Sequence, residues 1–163
     1  MQITVRPIEP KDLGQAVDVI VERLSAEISR SEEQRKNDRL VRYDDLKDLD
    51  KFFVFYVAEA GGKVVGTGGL QFMTHECADP HHPHTRLEMR EWFTHPQYRG
   101  HHIGMRIYNR LLEDAIRTGE EFLYTASAPF PKTIELYRRL GFEDYAAPWF
   151  DGINPVMRKR IKK

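Results

Sequence analysis

A short turn at residues 99–104, with the sequence RGHHIG, carries the residue types of an anion-binding site. Arg99 supplies a cationic side chain, and Gly100 and Gly104 allow the backbone to approach a ligand closely. A helical pattern begins at Ile103, and the N–H groups and dipole of a helix start attract phosphates. The turn is not a P-loop, because no GK[ST] follows, and its glycine spacing does not fit a Rossmann fingerprint.

A second candidate group lies in the histidine-rich segment 75–84. Imidazole and thiolate side chains are ligands for zinc and nickel. Their spacing here matches no standard zinc pattern, so we expect a polar loop bordering a substrate site and no bound metal. The candidate ligands are His75, Cys77, His81, His82 and His84.

Periodic apolar residues predict the elements that position these groups. We expect strands at residues 3–8, 86–94, 121–127 and 154–161, and helices at 9–28, 103–119 and 131–142. Residues 29–50 are highly charged and indicate a surface helix followed by a loop. The order of elements predicts an α/β protein with a mixed sheet flanked by helices.

The segment 51–73 predicts a β-hairpin that turns at Gly61 and Gly62, a favoured pair for tight turns. Its first strand is apolar on both faces and is therefore expected to be central in the sheet. Its second strand contains Gly66, Gly68 and Gly69, which indicate a bulge or a close approach of another backbone.

The bulk composition, with 40% hydrophobic residues, is that of an ordinary soluble domain. The length of 163 residues predicts one domain spanning 1–163. The formal net charge is +0, with 25 acidic and 25 basic side chains, which argues against a nucleic-acid partner. The single cysteine excludes an intrachain disulfide. We see no signal peptide, and the longest apolar run, residues 52–58, is too short to cross a membrane. These features predict a cytoplasmic protein without a membrane partner.

Together these motifs resemble the GNAT superfamily of acyl-CoA-dependent N-acyltransferases. The turn 99–104 matches the first and last positions of the family pattern Arg/Gln-x-x-Gly-x-Gly/Ala, with His102 at the usual inner glycine. Residues 134–142, IELYRRLGF, resemble the later LYxxLGF helix, and residues 6–13 resemble the opening strand and helix start. The resemblance implies a mixed, mostly antiparallel central sheet of six to seven strands with about four helices. Two splayed strands would form a V-shaped cofactor cleft.

The resemblance also implies acetyl-CoA as co-substrate and no metal. Pantetheine would lie between the strand ending at Thr94 and the strand 121–127, with the Trp92 N–H facing the thioester carbonyl. The backbone amides of residues 99–104 would hold the pyrophosphate. The implied coenzyme-binding residues are Trp92, Phe93, Thr94, Arg99, Gly100, His101, His102, Ile103, Gly104 and Tyr137.

The implied reaction is direct attack of a primary amine of a small molecule or peptide on the acetyl thioester. Tyr137 lies where the family commonly places a tyrosine that protonates the leaving thiolate; its structural alternative is a core aromatic. Glu88 is a candidate base because it lies four residues before Trp92, on the same strand face. Pairing of Glu88 with Arg86 or Arg90 is the structural alternative, and Glu91 or a chain of waters are other candidate bases.

The acceptor side is less constrained by the sequence. Asp44, Asp45, Asp48 and Asp50 would attract a cationic amine, although a solvated, helix-capping cluster is the favoured interpretation. Phe130 replaces an asparagine that many relatives place near the start of their last helix. Trp149 and Phe150 would wall a small-molecule pocket or a homodimer contact. Two other functions stay open: a non-catalytic acyl-CoA-binding or regulatory module, and a metal-dependent interaction protein.

Overall fold

The computed structural model describes residues 1–27, 29–75, 84–126, 130–146 and 155–162. Its helices are α1 (Leu13–Glu27), α2 (Glu32–Leu46), α3 (Ile103–Arg117) and α4 (Pro131–Arg139). Its strands are β1 (Thr4–Pro7), β2 (Val54–Ala60), β3 (Lys63–His75), β4 (His84–Thr94), β5 (Phe122–Ala126), β6 (Glu143–Asp144) and β7 (Val156–Arg160). Within the described residues the strands form one mostly antiparallel sheet in the order β1-β2-β3-β4-β5-β7-β6. The predicted α/β class is confirmed, as is a mixed, mostly antiparallel sheet of six to seven strands with about four helices.

The chain divides into two compact units. The first unit comprises Met1–Gly69 and Glu91–Leu111, and the second comprises Leu70–Arg90 and Leu112–Lys163. The predicted hairpin lies in the first unit, where Gly61 and Gly62 adopt φ angles of 57° and 79°. Both values lie in the left-handed region that glycine reaches at no steric cost, as a tight hairpin turn requires.

The core of the first unit is formed by α1 packed on β2 and β3. The apolar residues of α1 recur at helical spacing and pack against strand residues that are also buried. The buried members include Ala16, Val17, Ile20, Val21, Phe55, Val57 and Val64. The helix is shorter at its start than predicted, because residues Pro10–Asp12 form a 3-10 turn before Leu13.

An ion-paired cluster holds this 3-10 turn against β1. The Arg6 guanidinium donates to Asp12 Oδ2 at 2.6 Å and to Glu59 Oε2 at 2.7 Å. Asp12 is buried, and its side-chain hydrogen bond with Arg6 holds its pKa below the ordinary value of 3.8. The carboxylate is therefore stabilised in the folded state by a charge-assisted bond.

Helix α3 packs closely on β3 in the first unit. A Cβ on Gly66 would lie 2.7 Å from Ile103 Cγ2, and one on Gly68 would lie 2.7 Å from Ile107 Cγ2. Real Cβ atoms essentially never approach other atoms this closely, so larger side chains would push the helix away. The sequence predicted a bulge or a close backbone approach at these glycines, and the nearest atoms at Gly66 and Gly68 are side-chain atoms of α3.

The second unit is built on β5. β4 pairs with β5 in parallel at Leu87↔Leu123 and Glu88↔Tyr124, and β7 pairs with β5 antiparallel from Phe122↔Arg160 to Ala126↔Val156. β4 itself continues to Thr94. β6, a strand of two residues that the sequence pattern did not predict, extends the sheet beyond β7.

Most of the histidine-rich segment lies outside the described residues, as do Trp149 and Phe150. Among the residues that the structure does describe, no cluster of three or more His, Cys, Asp or Glu side chains is arranged to hold a metal ion. Over the same ranges, no helix has the length and apolar character needed to cross a membrane.

Candidate active site

The last residues of β4 depart from regular strand geometry at Glu91. This residue has a φ of 51°, in the left-handed region that bulky residues rarely adopt. Its carbonyl accepts a hydrogen bond from Thr67 Oγ1 at 2.8 Å, and Thr67 is 0% exposed. The regular alternation that underlies the prediction of a shared face for Glu88 and Trp92 is interrupted here.

The side chain of Trp92 anchors the end of β4 to the start of α3. Its indole Nε1 donates to the carbonyl oxygen of Gly104 at 2.9 Å. Its ring packs against Tyr108, with the ring centroids 5.5 Å apart. The resemblance assigned a role only to the Trp92 backbone, whereas the structure shows that the indole also fixes the neighbouring turn.

The turn itself is held by backbone geometry. The His95 N–H donates to Val65 O on β3 at 2.9 Å, and residues Pro96–Tyr98 form a 3-10 turn. Gly100 and His102 follow with φ angles of 83° and 57°. The unusual His102 thus occupies the conformation for which glycine is the default, and histidine is among the residues enriched there. The departure from the family pattern therefore changes the side chain and keeps a glycine-like backbone.

The start of α3 has the electrostatic character of an anion site. The N–H of Arg106 donates to His102 O at 3.1 Å, so the three preceding N–H groups come before the first intrahelical bond. No acidic residue lies in this first turn, all of which is described, and Arg99, His101 and His102 are exposed beside it. Helix starts ordinarily favour negative charge. A bound anion would supply it here.

In the second unit, Glu88 is 4% exposed and ion-paired. Arg86 Nε donates to Glu88 Oε1 at 2.7 Å, and Arg90 Nη1 lies 3.5 Å from Oε2. This pairing is the structural alternative to a catalytic base that the sequence analysis named for Glu88. The Arg86 guanidinium also lies over the Tyr124 ring, 5.5 Å from its centroid, and burial raises the pKa of Tyr124.

Tyr137 is also buried in the second unit, at 6% exposure. Its ring contacts Phe142, with centroids 5.3 Å apart, and its hydroxyl lies 3.5 Å from Thr125 Oγ1, a long contact for a hydrogen bond. Glu88 pairs in register with Tyr124, whose neighbour Thr125 points to the opposite face of β5. The two candidate catalytic side chains therefore lie on opposite faces of this part of the sheet.

The acidic residues of the acceptor segment are mostly paired with neighbours along the chain. Lys47 Nζ lies 2.8 Å from Asp44, Arg42 lies 3.4 Å from Asp45, and Lys51 lies 3.4 Å from Asp48. These exposed pairs fit the favoured interpretation of a solvated cluster. Arg42 makes a second contact from α2, because its Nη1 donates to Glu91 Oε1 at 3.1 Å.

The start of α4 shows the consequence of the missing asparagine. Phe130 is the N-cap of this helix and forms no side-chain capping bond, while Pro131 occupies the first turn. Pro131 lacks an N–H and so removes one of the donors that a cap would satisfy. At the other end, Gly141 has a φ of 85°, the left-handed conformation expected just past a helix.

Two contributors to the site were missed by sequence reasoning: the Thr67 hydroxyl and the Trp92 indole. One signal was available for Thr67, which is a polar residue inside the apolar, glycine-rich run VVGTGGL. A buried hydroxyl needs a hydrogen-bond partner, although the sequence does not show which one.

Comparison with known proteins agrees with this fold. Residues 19–142 match the sequence model of the Acetyltransferase (GNAT) family. No curated protein matches the chain. The solved structure of PaiA N-acetyltransferase from Thermoplasma acidophilum in complex with coenzyme A aligns with a TM-score of 0.77 at 19% identity, covering 98% of this chain and 99% of that one. An acetyltransferase from Clostridium acetobutylicum with acetyl-CoA aligns with a TM-score of 0.69 at 19% identity, covering 93% and 96%. A Brucella melitensis GNAT acetyltransferase with acetyl-CoA gives 0.67 at 17% identity, covering 99% and 90%.

Proposed function

Because the chain belongs to the GNAT acetyltransferase family, we propose that it transfers an acetyl group from acetyl-CoA to a primary amine of a small molecule or peptide. The observation that carries the proposal is the start of α3. Left-handed residues shape the preceding turn, the exposed Arg99 lies in it, and the first turn of the helix lacks acidic residues. Similar structures that contain coenzyme A or acetyl-CoA support this choice of anion.

In the proposed complex, residues 99–104 bind the pyrophosphate through their backbone N–H groups. Arg99 adds charge near the phosphates, as do His101 and His102 when protonated. Pantetheine lies along the end of β4, against the backbone of Trp92, Phe93 and Thr94. The indole bond from Trp92 to Gly104 sets the distance between the two ends of this site.

The reaction begins when the neutral amine attacks the thioester carbon. The Trp92 N–H donates to the carbonyl oxygen and stabilises the negative charge that develops there. When the tetrahedral intermediate collapses, the C–S bond breaks and Tyr137 protonates the departing thiolate. The former amine nitrogen loses one proton to water, which returns a proton to the Tyr137 phenolate. The products are the acetylated amine and coenzyme A.

An alkylammonium substrate must lose a proton before attack. Glu88 Oε1 already accepts the Arg86 Nε–H, and Glu91 Oε1 accepts a bond from Arg42. We therefore assign the first proton acceptor to water rather than to either carboxylate. A Glu88→Gln variant tests this assignment: turnover should keep its wild-type pH profile, whereas loss of the limb on which the amine is deprotonated would restore Glu88 as the base.

Binding is tested first, by thermal unfolding with acetyl-CoA. At about a hundred times its Kd the ligand should stabilise the fold by roughly 2.7 kcal/mol. Arg99→Ala should reduce this stabilisation. Arg117→Ala is the matched control, because Arg117 lies in the last turn of α3, at the end of the helix opposite to the turn that contains Arg99. The absence of any stabilisation in the wild-type protein would refute both the enzyme and a non-catalytic coenzyme-binding module.

Catalysis is tested with a panel of primary amines and detection of the released thiol. Tyr137→Phe should slow turnover and leave the thermal stabilisation intact, because it removes only the hydroxyl. Tyr145→Phe is the control, since Tyr145 packs on Tyr124 with its ring centroid 5.6 Å away and has no proposed role. Stabilisation without turnover on any amine would favour the binding module.

A further inference from the structure

Thr67 brings a hydroxyl into the apolar, glycine-rich run 64–70 of β3. It lies on β3 between Gly66 and Gly68, at 0% exposure. Its Oγ1 donates to the carbonyl oxygen of Glu91 at 2.8 Å, a well-formed O–H···O hydrogen bond. Packing alone would be satisfied by valine, which has the same shape, so the hydroxyl is the informative feature of this residue.

The carbonyl that Thr67 binds belongs to the peptide that carries the Trp92 N–H. A peptide group is planar and trans, so its C=O and N–H point in opposite directions. Fixing the Glu91 oxygen therefore also fixes the direction of the Trp92 hydrogen, which points away from Thr67. We propose that Thr67 is a positioning residue that aims the Trp92 N–H at the acyl carbonyl of acetyl-CoA. This inference rests on the proposed function.

The backbone at this point needs such support. Glu91 has a left-handed φ of 51°, a conformation that persists only where the surrounding structure imposes it. Two contacts impose it here: Arg42 holds the side chain at 3.1 Å and Thr67 holds the carbonyl at 2.8 Å. Of the two, only the Thr67 bond acts on the peptide plane itself.

The hydrogen bond from Thr67 to the Glu91 carbonyl also makes the Trp92 N–H a stronger donor. Hydrogen bonds in a chain polarise one another, so a carbonyl that accepts from Thr67 makes the N–H of its own peptide a stronger donor. Preorganised donors of this kind are worth most where negative charge develops in the transition state. Thr67 should therefore affect turnover more than coenzyme binding.

The test uses Thr67→Val, which keeps the shape and removes the hydroxyl, with Thr67→Ser as the rescue. Thr67→Cys, whose thiol is a poor donor, replaces valine if that variant does not fold. Coenzyme A should bind all folded variants with Kd values within about threefold of each other. The kcat should fall by about ten- to a hundredfold in Thr67→Val, the range expected for a misplaced reacting group, and be restored largely in Thr67→Ser. An unchanged kcat in Thr67→Val overturns the inference.

A spectroscopic measurement separates this inference from the proposed function. Infrared difference spectra of bound acetyl-CoA, labelled with ¹³C at the acetyl carbonyl, report the hydrogen bond without any amine present. The carbonyl band should lie at lower frequency in wild type and Thr67→Ser than in Thr67→Val. A shifted band with no turnover on any amine would refute the acetyltransferase and leave the positioning role standing. Identical bands in wild type and Thr67→Val would refute the positioning role even if the enzyme is active.

Discussion

The ion pair between Arg42 and Glu91 should stabilise the protein more than the ion pair between Arg39, on the same helix, and Asp18. The guanidinium and carboxylate side chains are 30% and 10% exposed, with Nη1 and Oε1 3.1 Å apart. At an effective dielectric constant of about 20, the attraction at this distance is about 5 kcal/mol before desolvation and side-chain entropy are subtracted. The same helix provides a comparison: Arg39 and Asp18 are 47% and 54% exposed, with their atoms 2.9 Å apart.

Two double-mutant cycles measure the coupling energy of each pair. Each cycle compares the free energies of unfolding of the wild type, two single variants and the double variant. We expect about 1–2 kcal/mol for Arg42→Met with Glu91→Gln, between the usual values for exposed and buried pairs. For Arg39→Met with Asp18→Asn we expect at most about 0.5 kcal/mol. Urea unfolding followed by circular dichroism provides the measurement, at low salt and at high salt. Coupling of Arg42 with Glu91 that is no larger than that of the control pair, or that high salt abolishes to the same extent, would refute the reasoning.

Three further predictions concern stability and are measured by urea or thermal unfolding. Gly68→Ala should destabilise the fold by about 1–3 kcal/mol, because the added methyl group overpacks the contact with α3. Gly14→Ala should stabilise the fold by about 0.5–1 kcal/mol, because Gly14 on α1 has open space around it. Equal effects of the two substitutions would contradict the close packing at Gly68. His102→Gly should be neutral or stabilising and His102→Val destabilising, because φ at this residue is 57°. Arg6 holds the pKa of Asp12 low in the folded state, so the contribution of Asp12 to the free energy of unfolding is complete above the ordinary value of 3.8 and is lost as pH falls further. Asp12→Asn should therefore make stability depend less on pH in the acid range. An unchanged pH dependence would argue against this assignment.

Much of the fold was predictable because local signals agreed with the tertiary structure. The Gly61–Gly62 pair marked the hairpin, and Gly141 marked the end of α4. β6 escaped prediction because a strand of two residues is too short to show a period. Its formation depends on pairing with β7, at Glu143↔Arg158 and Asp144↔Met157, which no local pattern reports.

The site divides in the same way. Arg99 and Gly100 were recognisable because their types suit a turn that faces phosphate. Nothing in the sequence around Glu91 indicates a left-handed residue, since glutamate has no preference for that conformation. At Glu91 the left-handed φ occurs together with hydrogen bonds from Thr67 and Arg42, which lie 24 and 49 residues earlier in the chain. Period-based reasoning therefore failed at this point in β4, where distant contacts shape the backbone.

His102 has a consequence for how such turns are recognised in other sequences. A search pattern written in residue letters, with glycine required at this position, would reject the chain. A pattern written in backbone angles would accept it, because φ values of 83° at Gly100 and 57° at His102 describe the turn regardless of side chain. Every residue except proline has a main-chain N–H group, so a site built from these groups tolerates changes of side chain. Backbone angles therefore identify this turn where residue letters alone would miss it.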